Sequence, residues 1–260
     1  MKEITILVLD KNFDIEKMPS WLYKVAAQAW IDYEYPRHLF IETTSSCNLS
    51  CSYCPREKIN NHMDFQLFKS VVDEASDYGP RSFSLHLFGE PLLYPRFFES
   101  VEYIKRKSKR HTILLTTNGT LINKFIDKLL ISPIDKVLWT WRTEAKFTEE
   151  TKEKLKRWKA WTVRFIEEIT PKEAYEEKWP RVEGRKLHNY GGEIDLGNYQ
   201  SALDAKLSET SLAQQPSNLV EKRWPCYHLW LAPAVAWNGN ILICCADPHQ
   251  KEVIGNVKNM

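Results

Sequence analysis

Three thiols fall within eight residues, Cys47-Asn48-Leu49-Ser50-Cys51-Ser52-Tyr53-Cys54, in a chain of 260 residues with six cysteines. Soft thiolates packed this closely select zinc or an iron–sulfur cluster over hard cations. A closed structural zinc site wants a fourth local Cys or His, and the nearest candidate is His62, eight residues beyond Cys54. Three ligands from one loop suit instead a four-iron cluster that keeps one iron open to a substrate or cofactor. Zinc, and thiols that pack unligated as small hydrophobes, are the other readings of the local chemistry.

The elements that must position this loop follow from hydrophobic periodicity. Strand patterns fall at residues 38–44, 82–88, 111–117, 136–142 and 161–166, with helix patterns at 64–78, 95–109, 121–130 and 148–159 between them. This alternation predicts an α/β fold with a parallel sheet or barrel. The cysteine loop directly follows the first strand, at the C-terminal edge where α/β barrels keep their active sites. A sixth strand is placed near His188 and Tyr190.

Strand alternation sorts the two faces, because the face packed on helices must be apolar. Leu39, Ile41, Phe83, Leu85, Leu87, Val137, Trp139, Trp161 and Val163 belong on that side. Glu42, Ser84, His86, Thr140, Arg142, Thr162 and Arg164 then face inward. A purely structural barrel would fill that space with Val, Ile and Leu, so a polar interior calls for a polar ligand or an internal network. His86 reads equally as a hydrogen-bonded core histidine and as a catalytic group. The run of charges at 148–159 pairs Glu150 with Lys154 and Glu153 with Arg157 at i, i+4 spacing, which marks a solvated helix face.

The chain resembles the radical S-adenosylmethionine (radical SAM) enzymes, whose hallmark is C-x3-C-x2-C with an aromatic residue before the last cysteine, here Tyr53. Phe88-Gly89-Glu90-Pro91 is similar to the family's Gly-Glu-Pro motif, which ends the second strand and holds the amino group of S-adenosylmethionine. Thr116-Thr117-Asn118-Gly119 is similar to the segment that closes the third strand near the cofactor. The resemblance implies a partial (β/α)6 TIM-like barrel carrying a [4Fe–4S] cluster on Cys47, Cys51 and Cys54. It implies a bound S-adenosylmethionine in contact with Tyr53, Gly89, Glu90, Pro91, Thr117, Asn118, Thr140 and Arg142. The implied reaction is reductive cleavage of that cofactor to a 5′-deoxyadenosyl radical, which abstracts a hydrogen atom from substrate inside the barrel, with His86 and Arg164 as candidate contacts. The residue types agree: a carboxylate accepts hydrogen bonds from an ammonium, Gly89 admits close backbone approach and Pro91 stiffens the turn. A Gly-x-Ile-x-Gly pattern, which many of these enzymes set against adenine, is not evident near the fifth strand.

Beyond residue 190 the periodicity fades into Gly, Gln, Ser and Asn, and a hairpin is then expected around Asn238-Gly239-Asn240. Cys226, Gly239 and Cys244 resemble the opening of the SPASM and Twitch extensions, which hold auxiliary iron–sulfur clusters. A cluster held by protein alone needs four ligands, and after Cys244 only Cys245 remains, with Asp247 or His249 as other donors. The expected organisation is an N-terminal extension at 1–37, the barrel core at 38–192, a linker or crossing segment at 193–225 and a shortened SPASM/Twitch-like extension at 226–260.

Composition sets limits on partners. Lys plus Arg number 36 against 34 Asp plus Glu, a balance of +2 that indicates no nucleic-acid partner. The apolar run at 4–9 is far too short to span a bilayer, so the expectation is a cytoplasmic protein with metal-bound thiolates and no membrane partner. The expected partners are a peptide or polar small-molecule substrate, such as an aminocyclitol alcohol, and a reductant such as flavodoxin or ferredoxin. The alternative from another class is a noncatalytic interaction protein stapled by zinc or iron–sulfur.

Overall fold

The computed structural model describes residues 35–51, 54–166, 171, 174, 178–185 and 232–259. Its frame is one open sheet of nine strands in the order β6-β5-β4-β3-β2-β1-β7-β8-β9. Six strands come from the barrel half: β1 (His38–Ile41), β2 (Ser82–Ser84), β3 (Thr112–Thr117), β4 (Lys136–Thr140), β5 (Trp161–Ile166) and β6 (Val182–Arg185). Each pairs in parallel with the next, as in the register Phe83 with Ile113, Leu115 with Val137, and Val137 with Trp161. Four helices link them: α1 (Phe65–Asp77), α2 (Phe97–Lys107), α3 (Ile122–Ile131) and α4 (Glu149–Arg157). The expected partial barrel is therefore present, and it is open because, among the described residues, β6 pairs with β5 alone.

The remaining strands form the predicted C-terminal hairpin and one more. β7 (Ala234–Val235) adds in parallel to the free edge of β1, with Phe40 opposite Ala234, and β8 (Asn240–Leu242) and β9 (Val253–Asn256) follow antiparallel. Gly239 sits at the turn with φ +92°, a left-handed conformation that glycine adopts without strain. Side-chain amides brace the hairpin, because Asn238 and Asn240 both donate to Gln250 Oε1, at 2.9 and 2.7 Å, and Asn256 donates to Asn240 at 2.7 Å.

The core lies between the sheet and its helices. Phe83, Ile113, Leu115, Val137, Trp139, Trp161 and Val163 are buried there against Phe68, Val72, Phe97, Val101, Ile104 and Leu129. Trp139 stacks on Trp161 at 5.7 Å between centroids, with Phe147 and Trp179 edge-on to Trp139. Helix α1 begins where Asp64 accepts hydrogen bonds from the backbone N–H groups of Gln66 and Leu67, a cap that stops it unwinding back into the cysteine loop.

Three expectations change. β1 ends at Ile41 because Thr43 N turns back onto the Ile41 carbonyl. β2 ends at Ser84, so the pleat no longer governs the residues beyond it. Leu87 accordingly joins Phe40, Ala234, Ala236 and Leu242 on the interior side instead of sharing the helix face with Phe83 and Leu85. The sixth strand lies at Val182–Arg185, while His188 and Tyr190 fall outside the described residues.

Candidate cluster and cofactor site

The cysteine loop leaves the C-terminal end of β1 and is pinched shut at its base. Thr44 bridges His62, Ser45 N donates to the Asn61 carbonyl at 2.9 Å, and Met63 N donates to the Thr43 carbonyl at 2.9 Å. His62, considered as a fourth ligand, has its Nδ1 2.9 Å from Thr44 Oγ1 and so takes part in this closure. Inside the loop Arg56 Nη2 donates to the carbonyls of Cys47 and Leu49, at 3.2 and 3.0 Å, and Cys54 N donates to the Cys51 carbonyl at 3.1 Å. Sequence reasoning missed Arg56. Its signal was available: a guanidinium fork two residues after the last cysteine, able to satisfy carbonyls that a tight loop cannot pair internally.

Burial raises the thiols of Cys47 and Cys54 above the ordinary thiol range, opposed by backbone N–H groups and by the Arg56 guanidinium. Cys47 also feels Cys51, and Cys54 feels both Cys51 and Cys47, as like charges. Among the described residues no three Cys, His, Asp or Glu side chains close to metal-ligand geometry. The donor set itself, three half-buried thiols on one closed loop, fits a soft metal centre. Tyr53 lies outside the described residues.

Two further segments lock onto this loop. A Cβ at Gly89 would lie 1.9 Å from the Thr44 carbonyl oxygen, so only glycine allows the approach, and Glu90 N donates to the Ser46 carbonyl at 2.7 Å. The Glu90 carboxylate is buried and accepts from Thr117 Oγ1 at 2.7 Å, Asn118 N at 2.7 Å and Leu92 N at 3.3 Å. Burial pushes its pKa up to about 7 against those three donors. Pro91 opens the short 3-10 turn Pro91–Leu93. Asn118 completes the lock: its Nδ2 reaches Cys47 Sγ at 3.8 Å and Asn48 Oδ1 at 2.9 Å. Gly119, at φ +84°, holds this turn where a Cβ would sit 2.4 Å from Trp139 Nε1, and that indole nitrogen donates to the Asn118 carbonyl.

The interior face is polar as expected. Thr140 is buried there, next to Arg164 in the register of β4 and β5. Arg142 Nη1 donates to the Trp141 carbonyl at 2.7 Å. Arg164 is engaged by Glu183 of β6, with Nε and Nη2 at 3.2 and 3.1 Å from its Oε1. His86 meets Phe40 edge-on at 5.5 Å. Thr117 turns toward Glu90, whereas the neighbouring Thr116 presents a buried hydroxyl that has no hydrogen-bond partner among the described residues.

The C-terminal cysteines are set apart. Cys244 Sγ accepts from Ala246 N at 3.4 Å, and Cys245 packs on the apolar group of Ala234, Ala236 and Leu242. Cys226 falls outside the described residues. Asp247 accepts from Glu252 N, and His249 Nδ1 lies 3.1 Å from Glu57 on the cysteine loop, which ties the hairpin to that loop's outer rim.

Residues 41–138, which contain the cysteine loop and both locking segments, match the Radical SAM superfamily. Those residues are therefore similar to a radical SAM domain, and the cofactors of that superfamily are a [4Fe–4S] cluster and S-adenosylmethionine. The tungsten-containing aldehyde ferredoxin oxidoreductase cofactor-modifying protein of Pyrococcus furiosus is 33% identical over 91 residues, which are 33% of this chain and 25% of that protein. The S-adenosyl-L-methionine-dependent 2-deoxy-scyllo-inosamine dehydrogenase of Niallia circulans is 29% identical over 227 residues, 84% of this chain and 76% of that one. Among solved structures, Streptococcus suis SuiB bound to precursor peptide SuiA superposes with a TM-score of 0.64 at 17% identity, covering 96% of this chain and 70% of SuiB. The match spans only 25% to 35% of the length of the first curated relatives. Among the described residues no helix is long and apolar enough to cross a membrane.

Proposed function

We propose that this protein oxidises or otherwise modifies a peptide or polar small molecule by abstracting a hydrogen atom from it within the open barrel. The observation that carries this reading is the interlocking of three segments, with Gly89 against Thr44, Glu90 against Thr117 and Asn118, and Asn118 against Cys47. Cys47, Cys51 and Cys54 would hold the cluster. Gly89, Glu90, Pro91, Thr117, Asn118 and Tyr53 would line the S-adenosylmethionine side, with Thr140 and Arg142 reaching it from β4 and the residues beyond. When bound, that pair of cofactors supplies the electron and the radical for hydrogen abstraction. The chain's own part is to bind and orient. Its polar interior, with Glu42, Thr116 and Thr140, favours a substrate rich in hydroxyl, amine or amide groups, in keeping with both the inosamine dehydrogenase and the peptide-bound relative. A flavodoxin or ferredoxin is the proposed electron donor, and Cys226, Cys244 and Cys245 are proposed donors to an auxiliary cluster.

The test is anaerobic reconstitution with iron and sulfide, followed by a dithionite assay for 5′-deoxyadenosine. Wild-type protein is expected to hold a four-iron cluster and cleave S-adenosylmethionine, and Cys51→Ala is expected to lose both. Retained zinc with no iron and no cleavage would sink the reading.

A further inference from the structure

Glu42 is the one inward-facing carboxylate at the end of β1. It is only 4% exposed, yet among the described residues no cation is paired with it. Its two oxygens instead serve two distant segments. Oε1 accepts from the backbone N–H of Phe88 and Oε2 from the backbone N–H of Trp237, both at 3.4 Å. Phe88 directly precedes Gly89 and Glu90. Trp237 lies in the turn of the C-terminal hairpin, where Glu42 N also donates to the Val235 carbonyl at 2.9 Å.

We propose that Glu42 is a positioning residue that fastens the Gly89–Pro91 loop and the C-terminal hairpin to the same point, so that the hairpin helps set the S-adenosylmethionine site. The proposal rests on the reading that this loop takes the cofactor. Burying a carboxylate costs free energy that a neutral side chain would not, and burial pushes this carboxyl up to about 7. For simple packing, glutamine would serve as well and more cheaply. Here the two N–H groups reach different oxygens, and a glutamine would set its amide nitrogen, a donor, against one of them. The hairpin reaches the cysteine loop a second time through His249 and Glu57, so it touches both the root and the rim of the site.

Glu42→Gln is the decisive variant, with Glu42→Ala beside it, each as the anaerobically reconstituted full chain. Three quantities are measured: iron content, the dissociation constant for S-adenosylmethionine, and amide hydrogen exchange at Phe88 and Trp237. The Gln variant is expected to hold wild-type iron and to melt no lower than wild type at pH 8. It should nonetheless bind the cofactor about tenfold more weakly, the scale of one lost hydrogen bond to a charged group, and exchange faster at one of the two amides. A Gln variant with wild-type affinity and wild-type exchange would overturn the proposal and leave Glu42 a packing residue. Wild-type protein that binds no S-adenosylmethionine would sink the functional reading instead, and exchange at Phe88 and Trp237 would still decide whether the clamp exists.

Discussion

At the scale of single residues, the two buried glutamates define how the site responds to pH. Glu42 and Glu90 are each pushed up from 4.5 to about 7, mainly by burial. Between those values the native state holds a proton that the unfolded chain has released, so stability falls as pH rises through the window, and the cost of each buried charge is fully present above about pH 7. Replacing Glu42 by Gln removes that cost. Thermal unfolding of the apo protein should show Glu42→Gln melting higher than wild type at pH 8, by on the order of 5 °C, with the gap closing toward pH 4.5. A gap that does not change with pH would mean that Glu42 is not a buried titrating group. On the proposed reading, the same glutamate lowers apo stability while holding the loop proposed to take the cofactor, a cost accepted at functional sites.

At the scale of elements, the cysteine loop is held from within by one side chain. Arg56 spans the carbonyls of Cys47 and Leu49 with a single nitrogen while the loop base is closed by Thr44, Ser45 and Met63. Arg56→Ala should leave the barrel's melting temperature within about a degree, because its hydrogen bonds among the described residues go to loop carbonyls and it is not a member of the buried core. Iron release from the reconstituted protein to a chelator should be several-fold faster, since the loop carbonyls lose their donor and the thiols lose a nearby cation. Arg56→Lys should restore the charge and recover part of the loop's hold, because one nitrogen makes both contacts and an ammonium also carries more than one donor. Equal release rates for all three proteins would remove Arg56 from any role in retaining the cluster.

For the whole molecule, the core and the cysteine loop are nearly independent. Among the described residues the main buried hydrophobic cluster runs from Leu39 through Val235 and includes none of the described cysteines. The protein stripped of iron is therefore expected to keep its helix and strand signals and to unfold in one cooperative step, unlike small zinc domains that exist only with their metal. Iron should add stability only through binding linkage. Calorimetry of the apo and reconstituted forms checks this, and an apo form without a cooperative transition would show that the cluster organises the barrel. The hairpin belongs to the same unit, since β7 pairs with β1 and Val235 joins the main core.

The strand and helix order, the cysteine loop at the end of β1 and an inward set containing Glu42, Thr140 and Arg164 were legible in the chain alone, because hydrophobic period and thiol spacing are local properties. Motif resemblance also pointed to Gly89, Glu90 and Asn118, although not to what each touches. Folding over long range was needed to tie Glu90 to Thr117 and Asn118 and to bring Glu183 onto Arg164. It likewise decided that β2 stops at Ser84 and sends Leu87 inward. Such outcomes depend on contacts between residues far apart in the chain. No period or spacing records that Phe88 and Trp237 converge on one carboxylate, because their partner Glu42 lies 46 and 195 residues away.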